Sequence, residues 1–212
     1  MRLRSIIATC SAVGAIALAL PTRALTEDPK GFVEQQHHHL EELLRTPSSA
    51  TRDTQLHQAL AAFVDYDELT HRAFGEPCPA SVPSCDDLWS TYNDAQKAEV
   101  RGLLEALVRK TYQRNLVKTL DYDVAYLGSR DTDGDTRVLT EAKSKLKPRE
   151  PAVRVDYVVK RTPSGLKVVD IITEGSSLTK NYYEQFRKKM QDPNEGYPNI
   201  VQKLREKIAK KD

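Results

Sequence analysis

The stretch from Lys167 to Met190, KVVDIITEGSSLTKNYYEQFRKKM, constrains the fold of this chain more than any other. Val168-Val169-Asp170-Ile171-Ile172-Thr173 is a β-branched run that predicts a buried or half-buried strand. Glu174-Gly175 breaks the run, because glycine supplies the backbone freedom of a sharp turn. The chain then resumes with Leu178, Tyr182 and Phe186 at four-residue spacing, one face of a helix. A strand that turns into a helix lying back over its own sheet makes a concave, apolar fold.

Everything upstream has to supply the rest of that sheet and its cover. Pro29 to Arg45 predicts a helix with Phe32, Val33, Leu40, Leu43 and Leu44 inward and one polar gap at Gln36. A second helical stretch carries Leu56, Ala59, Leu60 and Phe63, and Asp65 or Asp67 caps a short helix from Leu69 to Phe74. Asn93 and Gln96 have the spacing of a capping box. The helix they open carries the longest apolar stripe in the chain, from Val100 through Leu104, Leu107, Val108 and Tyr112 to Leu116.

From Asp121 the period changes to two. Tyr122, Val124 and Tyr126 alternate, Asp133-Gly134 is a hairpin signal, and Val153, Val155, Tyr157 and Val159 share a strand face. With the Val168 run, this gives an antiparallel meander of about four strands. The fold class is therefore α+β: residues 25–117 mainly helical, 118–174 the sheet, and 175–212 C-terminal helices, in one domain over 25–212. The last segment places Ile200, Val201, Leu204 and Ile208 on one face. Its lysine-rich end reads as a solvated surface with cations at a helix C-terminus, rather than as a site for anionic headgroups.

The first residues predict a cleaved signal peptide over 1–24. Met1-Arg2-Leu3-Arg4 is a basic start, Ser5 to Leu20 an apolar stretch, and cleavage follows Ala24. The whole chain has 32 basic and 30 acidic residues. Losing Arg2, Arg4 and Arg23 leaves 29 against 30, with no global basic field of the kind that nucleic acid selects. Export also suits the cysteines: Cys78 and Cys85 bracket a proline-containing loop and read as a structural disulfide.

Catalytic and metal-binding readings find little to stand on. Asp131, Asp133 and Asp135 have calcium-loop spacing, but Thr136 stands where that loop needs glycine and Ala142 where it needs a bidentate glutamate. His37-His38-His39 points in different directions around a helix and lacks a ligand set. Asp170 and Glu174 are the carboxylates of the strand-to-turn element and share a strand face. They read as anchors of the turn, the alternative being an acid–base pair of an enzyme acting on a small apolar substrate.

Asp65-Tyr66-Asp67-Glu68-Leu69 with Arg72-Ala73-Phe74-Gly75, the Leu88-Trp89 and Asp94-Ala95-Gln96-Lys97 helix start, Asp156-Tyr157, and Asp170 through Phe186 occur in an order that resembles the MlaC, or toluene-tolerance, family from about Phe32 to Lys207. The resemblance implies an NTF2-like sheet wrapped by helices, with an apolar pocket between the layers. It further implies a periplasmic auxiliary component of an ABC transporter, carrying phospholipid cargo with no other cofactor and no catalysis. The implied partners are a diacyl phospholipid, an outer-membrane lipoprotein–porin complex and an inner-membrane ABC-type lipid transporter, and the implied outcome is outer-membrane lipid asymmetry. Two features depart from the family pattern: the inserted Cys78–Cys85 loop, and Ser176 in place of an apolar residue. On this reading the lipid-binding residues are Leu104, Leu107, Val108, Tyr112, Leu116, Tyr126, Val155, Tyr157, Val159, Ile171 and Leu178. Burying some thirty tail carbons at about 0.8 kcal/mol per methylene calls for roughly 20 kcal/mol of dry shelter, which an enclosed pocket supplies and a surface patch does not.

Overall fold

A computed structural model of the chain describes residues 28–79, 82 and 84–210. The expected signal peptide lies outside them. Five of the six α-helices among the described residues begin where a side chain answers the free N–H groups of the first turn; the last, Tyr197–Ala209, follows Gly196 and has no such cap. Asp28 caps α1 (Pro29–Arg45), accepting from the N–H groups of Lys30 and Gly31, with Pro29 at the first position. Ser49 caps α2 (Ala50–Phe63). Asp65 caps α3 (Tyr66–Ala73) through Glu68 N–H at 3.0 Å, so this helix starts three residues before the expected Leu69. A 3-10 turn at Trp89–Thr91 leads to α4 (Asp94–Thr119), whose capping box of Asn93 and Gln96 is formed in both directions.

The sheet follows as β1 (Tyr122–Thr132), β2 (Asp135–Ser144), β3 (Val153–Thr162), β4 (Gly165–Thr173) and β5 (Ser176–Ser177), antiparallel throughout and in sequence order. The fifth strand corrects the expected count of about four. Glu174 and Gly175 both have positive φ, so the chain first reverses as a two-residue hairpin and only then enters α5 (Leu178–Gln191). Asp133-Gly134 makes the same kind of turn between β1 and β2, where a hairpin is expected. Register shifts place an extra residue at Leu127 in β1 and at Val169 in β4, opposite Val158 and Val159, and such bulges bend strands locally. Beyond the short β5, Val64 bridges Val168 and Asp65 N–H bonds the Val168 carbonyl, covering an otherwise open edge.

One face of the sheet, here the front, lies under α1 and α4. Phe63, Leu40, Val33, Val138 and Leu104 are wholly buried in the adjoining core. Above the other end, α3 and α5 pack together, with Phe74 stacked on Phe186 at 4.6 Å between ring centroids. Gly75 ends α3 at φ +88, and a Cβ there would stand 2.5 Å from the Asp86 carbonyl, so no other residue fits without moving the backbone. Asp86 is clamped in turn by Tyr183, whose hydroxyl accepts from its N–H at 2.7 Å and donates to its carbonyl at 3.2 Å. The intervening loop is closed by the Cys78–Cys85 disulfide. Finally α6 (Tyr197–Ala209) packs on α4, and Lys110 donates to the carbonyls of Ile208 and Lys210, answering free acceptors at its C-terminal end.

Candidate functional site

Strand alternation builds the site. Tyr122 and Val124 of β1, Thr140 and Ala142 of β2, Val153, Val155 and Tyr157 of β3, and Ile171 and Thr173 of β4 line one cavity of about 350 Å³. Within each strand these residues are two apart, so the cavity floor is the front face of the pleat. Its roof comes from His37 and Glu41 of α1 and from Tyr112, Asn115 and Leu116 of α4, with Lys118 and Thr119 at the end of that helix. A second cavity of about 240 Å³ shares Tyr112, Asn115, Ile171 and Thr173 with the first and runs on toward α5, past Val108, Leu178 and Tyr182.

Of the residues expected to bind lipid, Tyr112, Leu116, Val155, Tyr157 and Ile171 line the larger cavity, and Val108 and Leu178 line the smaller one. Tyr126 is one step removed: its hydroxyl lies 2.8 Å from Nδ1 of His37, which does line the cavity. Leu104, Leu107 and Val159 reach neither cavity and lie in the core. An apolar stripe on a helix this long serves two neighbours, and its N-terminal half is spent on packing.

His37 is the residue that sequence reasoning missed. It lies four residues after Val33 and three before Leu40, both fully buried, and so falls on the inward face of α1. His38 and His39 are exposed. The His37 ring meets Tyr157 edge-on at 4.8 Å and Phe63 at 5.6 Å. Burial, helped by the neighbouring His38, pushes its imidazole down to about 4, so it is neutral at ordinary pH. Burial likewise raises the phenols of Tyr112, Tyr126 and Tyr157, which stay protonated and able to donate. The cavity wall is thus largely apolar with a few uncharged hydrogen-bonding groups, and its charged side chains are Glu41 on α1 and Lys118 at the end of α4.

Asp170 and Glu174 do not form a pair. Asp170 is buried on the opposite, back face, where its carboxylate accepts from Ser177 Oγ at 2.6 Å and from the N–H groups of Ile171 and Thr179 at 2.8 and 3.0 Å. Glu174 sits in the β4–β5 turn and accepts from the Arg154 backbone N–H. Each holds its own turn or helix start. Neither lines the front cavity. No cluster of three or more metal-ligating side chains occurs among the described residues.

The back face carries a polar cleft of about 570 Å³, walled by Arg72, Arg137, Asp170 and Lys180 and by the disulfide loop at Pro77 and Cys78. Because α5 leaves from the sheet edge, Leu178 and Tyr182 face the smaller front cavity while Thr179 and Lys180 face this cleft. The cations near the cleft are bound to carboxylates. Arg72 joins Glu68 and Asp135, each at 2.8 Å, and Lys160 joins Glu68 at 2.9 Å. Burial alone would raise the Glu68 carboxyl, but hydrogen bonds from Lys160 and Arg72 outweigh it and hold the group below its usual value.

No curated protein sequence matches the chain. Among solved structures, a phospholipid-binding protein from Ralstonia solanacearum, determined in complex with a phospholipid, is similar with a TM-score of 0.67 and 24% identity. The match covers 86% of this chain and 97% of that one, and at this identity it establishes a shared fold. The family model described as MlaC protein matches residues 38–206, which takes in α4, the whole sheet and every residue lining the two cavities except His37. With most of its length inside that match, the chain belongs to the MlaC family.

Proposed function

We propose that this protein is a non-enzymatic, periplasmic carrier of diacyl phospholipid. It passes lipid between an outer-membrane lipoprotein–porin complex and an inner-membrane ABC-type transporter, and so favours lipid asymmetry of the outer membrane. The observation that carries the reading is the cavity itself: alternate residues of four strands converge on one apolar floor under α4. The acyl tails lie against Val108, Tyr112, Leu116, Val155, Tyr157, Ile171 and Leu178, with the neutral His37 beside them. Leu104, Leu107 and Val159 support that wall from behind as packed core. Family membership and the phospholipid bound to the Ralstonia protein point the same way.

Native mass spectrometry of the protein purified from the periplasm without detergent, with its mature end at Leu25, tests the proposal. The expected result is a mass increment that organic extraction resolves into diacyl phospholipid. A protein that carries no lipid and takes none up from vesicles overturns it.

A further inference from the structure

The loop between β2 and β3 holds a feature that the cavity does not explain. Residues 143–149 read KSKLKPR, four cations with no carboxylate among them. Leu146 in the middle is 73% exposed, the most exposed large hydrophobic side chain among the described residues. Scattered exposed leucines are ordinary, so its location has to carry the argument. Ser144 pairs with Tyr122 and Ala142 with Val153, and Tyr122, Ala142 and Val153 all line the larger cavity. The loop therefore hangs from the end of the sheet where the cavity meets solvent, beside the exposed Lys118 of its rim.

It is fastened there. Lys145 N–H bonds the Asp121 carbonyl at 2.8 Å, and its Nζ bonds the Leu120 carbonyl at 3.2 Å, tying the loop to the end of α4. The last turns of α4 add Val117, 55% exposed, and Lys118. Carboxylates are also present: Lys145 meets Asp123 at 3.5 Å and Lys147 meets Glu150 at 3.0 Å. Both are exposed pairs of the kind that contribute little and yield readily to a stronger field. Lys143, Arg149 and Lys118 have no carboxylate within ion-pair distance among the described residues.

We propose that this end of the molecule docks on an anionic lipid surface, with Leu146 inserted between acyl chains and the flanking cations at the phosphates. The pattern fits lipid better than protein. Lysines flanking an apolar tip can bury their methylene stems while their ammonium groups stay at headgroup level, whereas the buried centre of a protein interface is depleted in lysine. The inference rests on the carrier reading and deepens it, because docking brings the cavity mouth to the bilayer and shortens the path a tail crosses through water.

Flotation of the mature protein with phosphatidylcholine vesicles, with or without one part in three phosphatidylglycerol, tests the docking. Binding is expected only to the anionic vesicles and is expected to weaken as salt is raised. Leu146→Glu should lower the partition coefficient by at least about tenfold, and Lys143→Glu and Arg149→Glu by roughly fivefold each. All three positions are exposed, so unchanged melting curves are expected alongside. Equal binding to both vesicle types, or binding indifferent to Leu146→Glu, overturns the proposal. Variants that bind vesicles normally but fail to deliver lipid in cells would make the patch a protein contact and overturn it as well. Lipid that co-purifies with Leu146→Glu is read by mass spectrometry, so failed docking with cargo retained leaves the carrier reading standing. Absence of cargo from the wild type as well as failed docking removes both.

Discussion

The two faces of one sheet make opposite use of the same strands. On β3, Val155 and Tyr157 open onto the front cavity, while Asp156 between them is fully buried on the back. Asp156 accepts from Arg137 Nε at 2.8 Å and Nη2 at 2.5 Å, with Arg154 Nε farther off at 3.4 Å. On β4, Ile171 belongs to the front and Asp170 to the back, where three donors converge on its carboxylate. The back face is held by directional, mutually satisfied polar contacts that leave it little freedom. The front face relies on non-directional apolar contact, which tolerates a change of occupant. A sheet built this way can be rigid in its frame and adaptable in its pocket.

Substitutions that break one face should therefore leave the other readable. The largest effect is expected from Asp156→Ala, which strands Arg137 beside a buried space. Unfolding by urea should show a loss of about 3–5 kcal/mol.

His37 should dominate the acid response of the front face. Its imidazole is held near 4 in the folded protein against 6.5 when free, so the unfolded chain takes up the proton first. The stability it contributes is complete above pH 6.5 and is lost as pH falls from there toward 4, to a total of up to about 3 kcal/mol. Denaturation of lipid-stripped protein across that window should show this slope, and His37→Phe should flatten it.

A smaller loss, about 2 kcal/mol, is expected for Asp170→Asn with Glu174→Gln, which weakens the turn and the start of α5. Lipid occupancy by mass spectrometry should persist in the folded double variant. If occupancy vanished while the fold survived, the separation of the two faces would be wrong and an acid–base role would regain ground. The smallest change in stability belongs to Ile171→Trp. Ile171 stands between the two front cavities, so the larger side chain should fill space there and lower lipid uptake from vesicles by about tenfold, equivalent to ~1.4 kcal/mol, with the melting temperature nearly unmoved.

How much of this was legible in advance differs between elements. The capping box at Asn93 and Gln96, the helix from Pro29 to Arg45 and the hairpin at Asp133-Gly134 depend on neighbours in sequence, and each stands as the residues predict. Within the long α4 stripe, chain-local information gave no means of dividing core from cavity, because Leu104 and Leu116 are equally apolar. What separates them is which element lies opposite: Leu104 is packed into the core, while Leu116 helps roof the cavity over the strands. At the start of α5 the residues predict a direct strand-to-helix turn and the structure has β5 in between, because a two-residue strand has no periodicity to detect. It exists through its pairing with Ile172 and Thr173 and through the Ser177–Asp170 hydrogen bond.

His37 is the clearest case of the division. Its phase on α1 was written in the spacing from Val33 to Leu40, but a histidine at such a position is equally compatible with solvent, a metal or a pocket. Only the arrival of Tyr126 and Tyr157 from strands about ninety and one hundred and twenty residues away makes it a neutral cavity wall. The sequence by itself determined the order of the helices and of the four long strands, the hairpin at Asp133-Gly134 and the alternation along each strand, since those follow from caps, glycine and a period of two. The tertiary structure alone decided where the sheet and α4 stand apart enough to leave a cavity, because a void is a property of surfaces that meet and not of any one segment of chain.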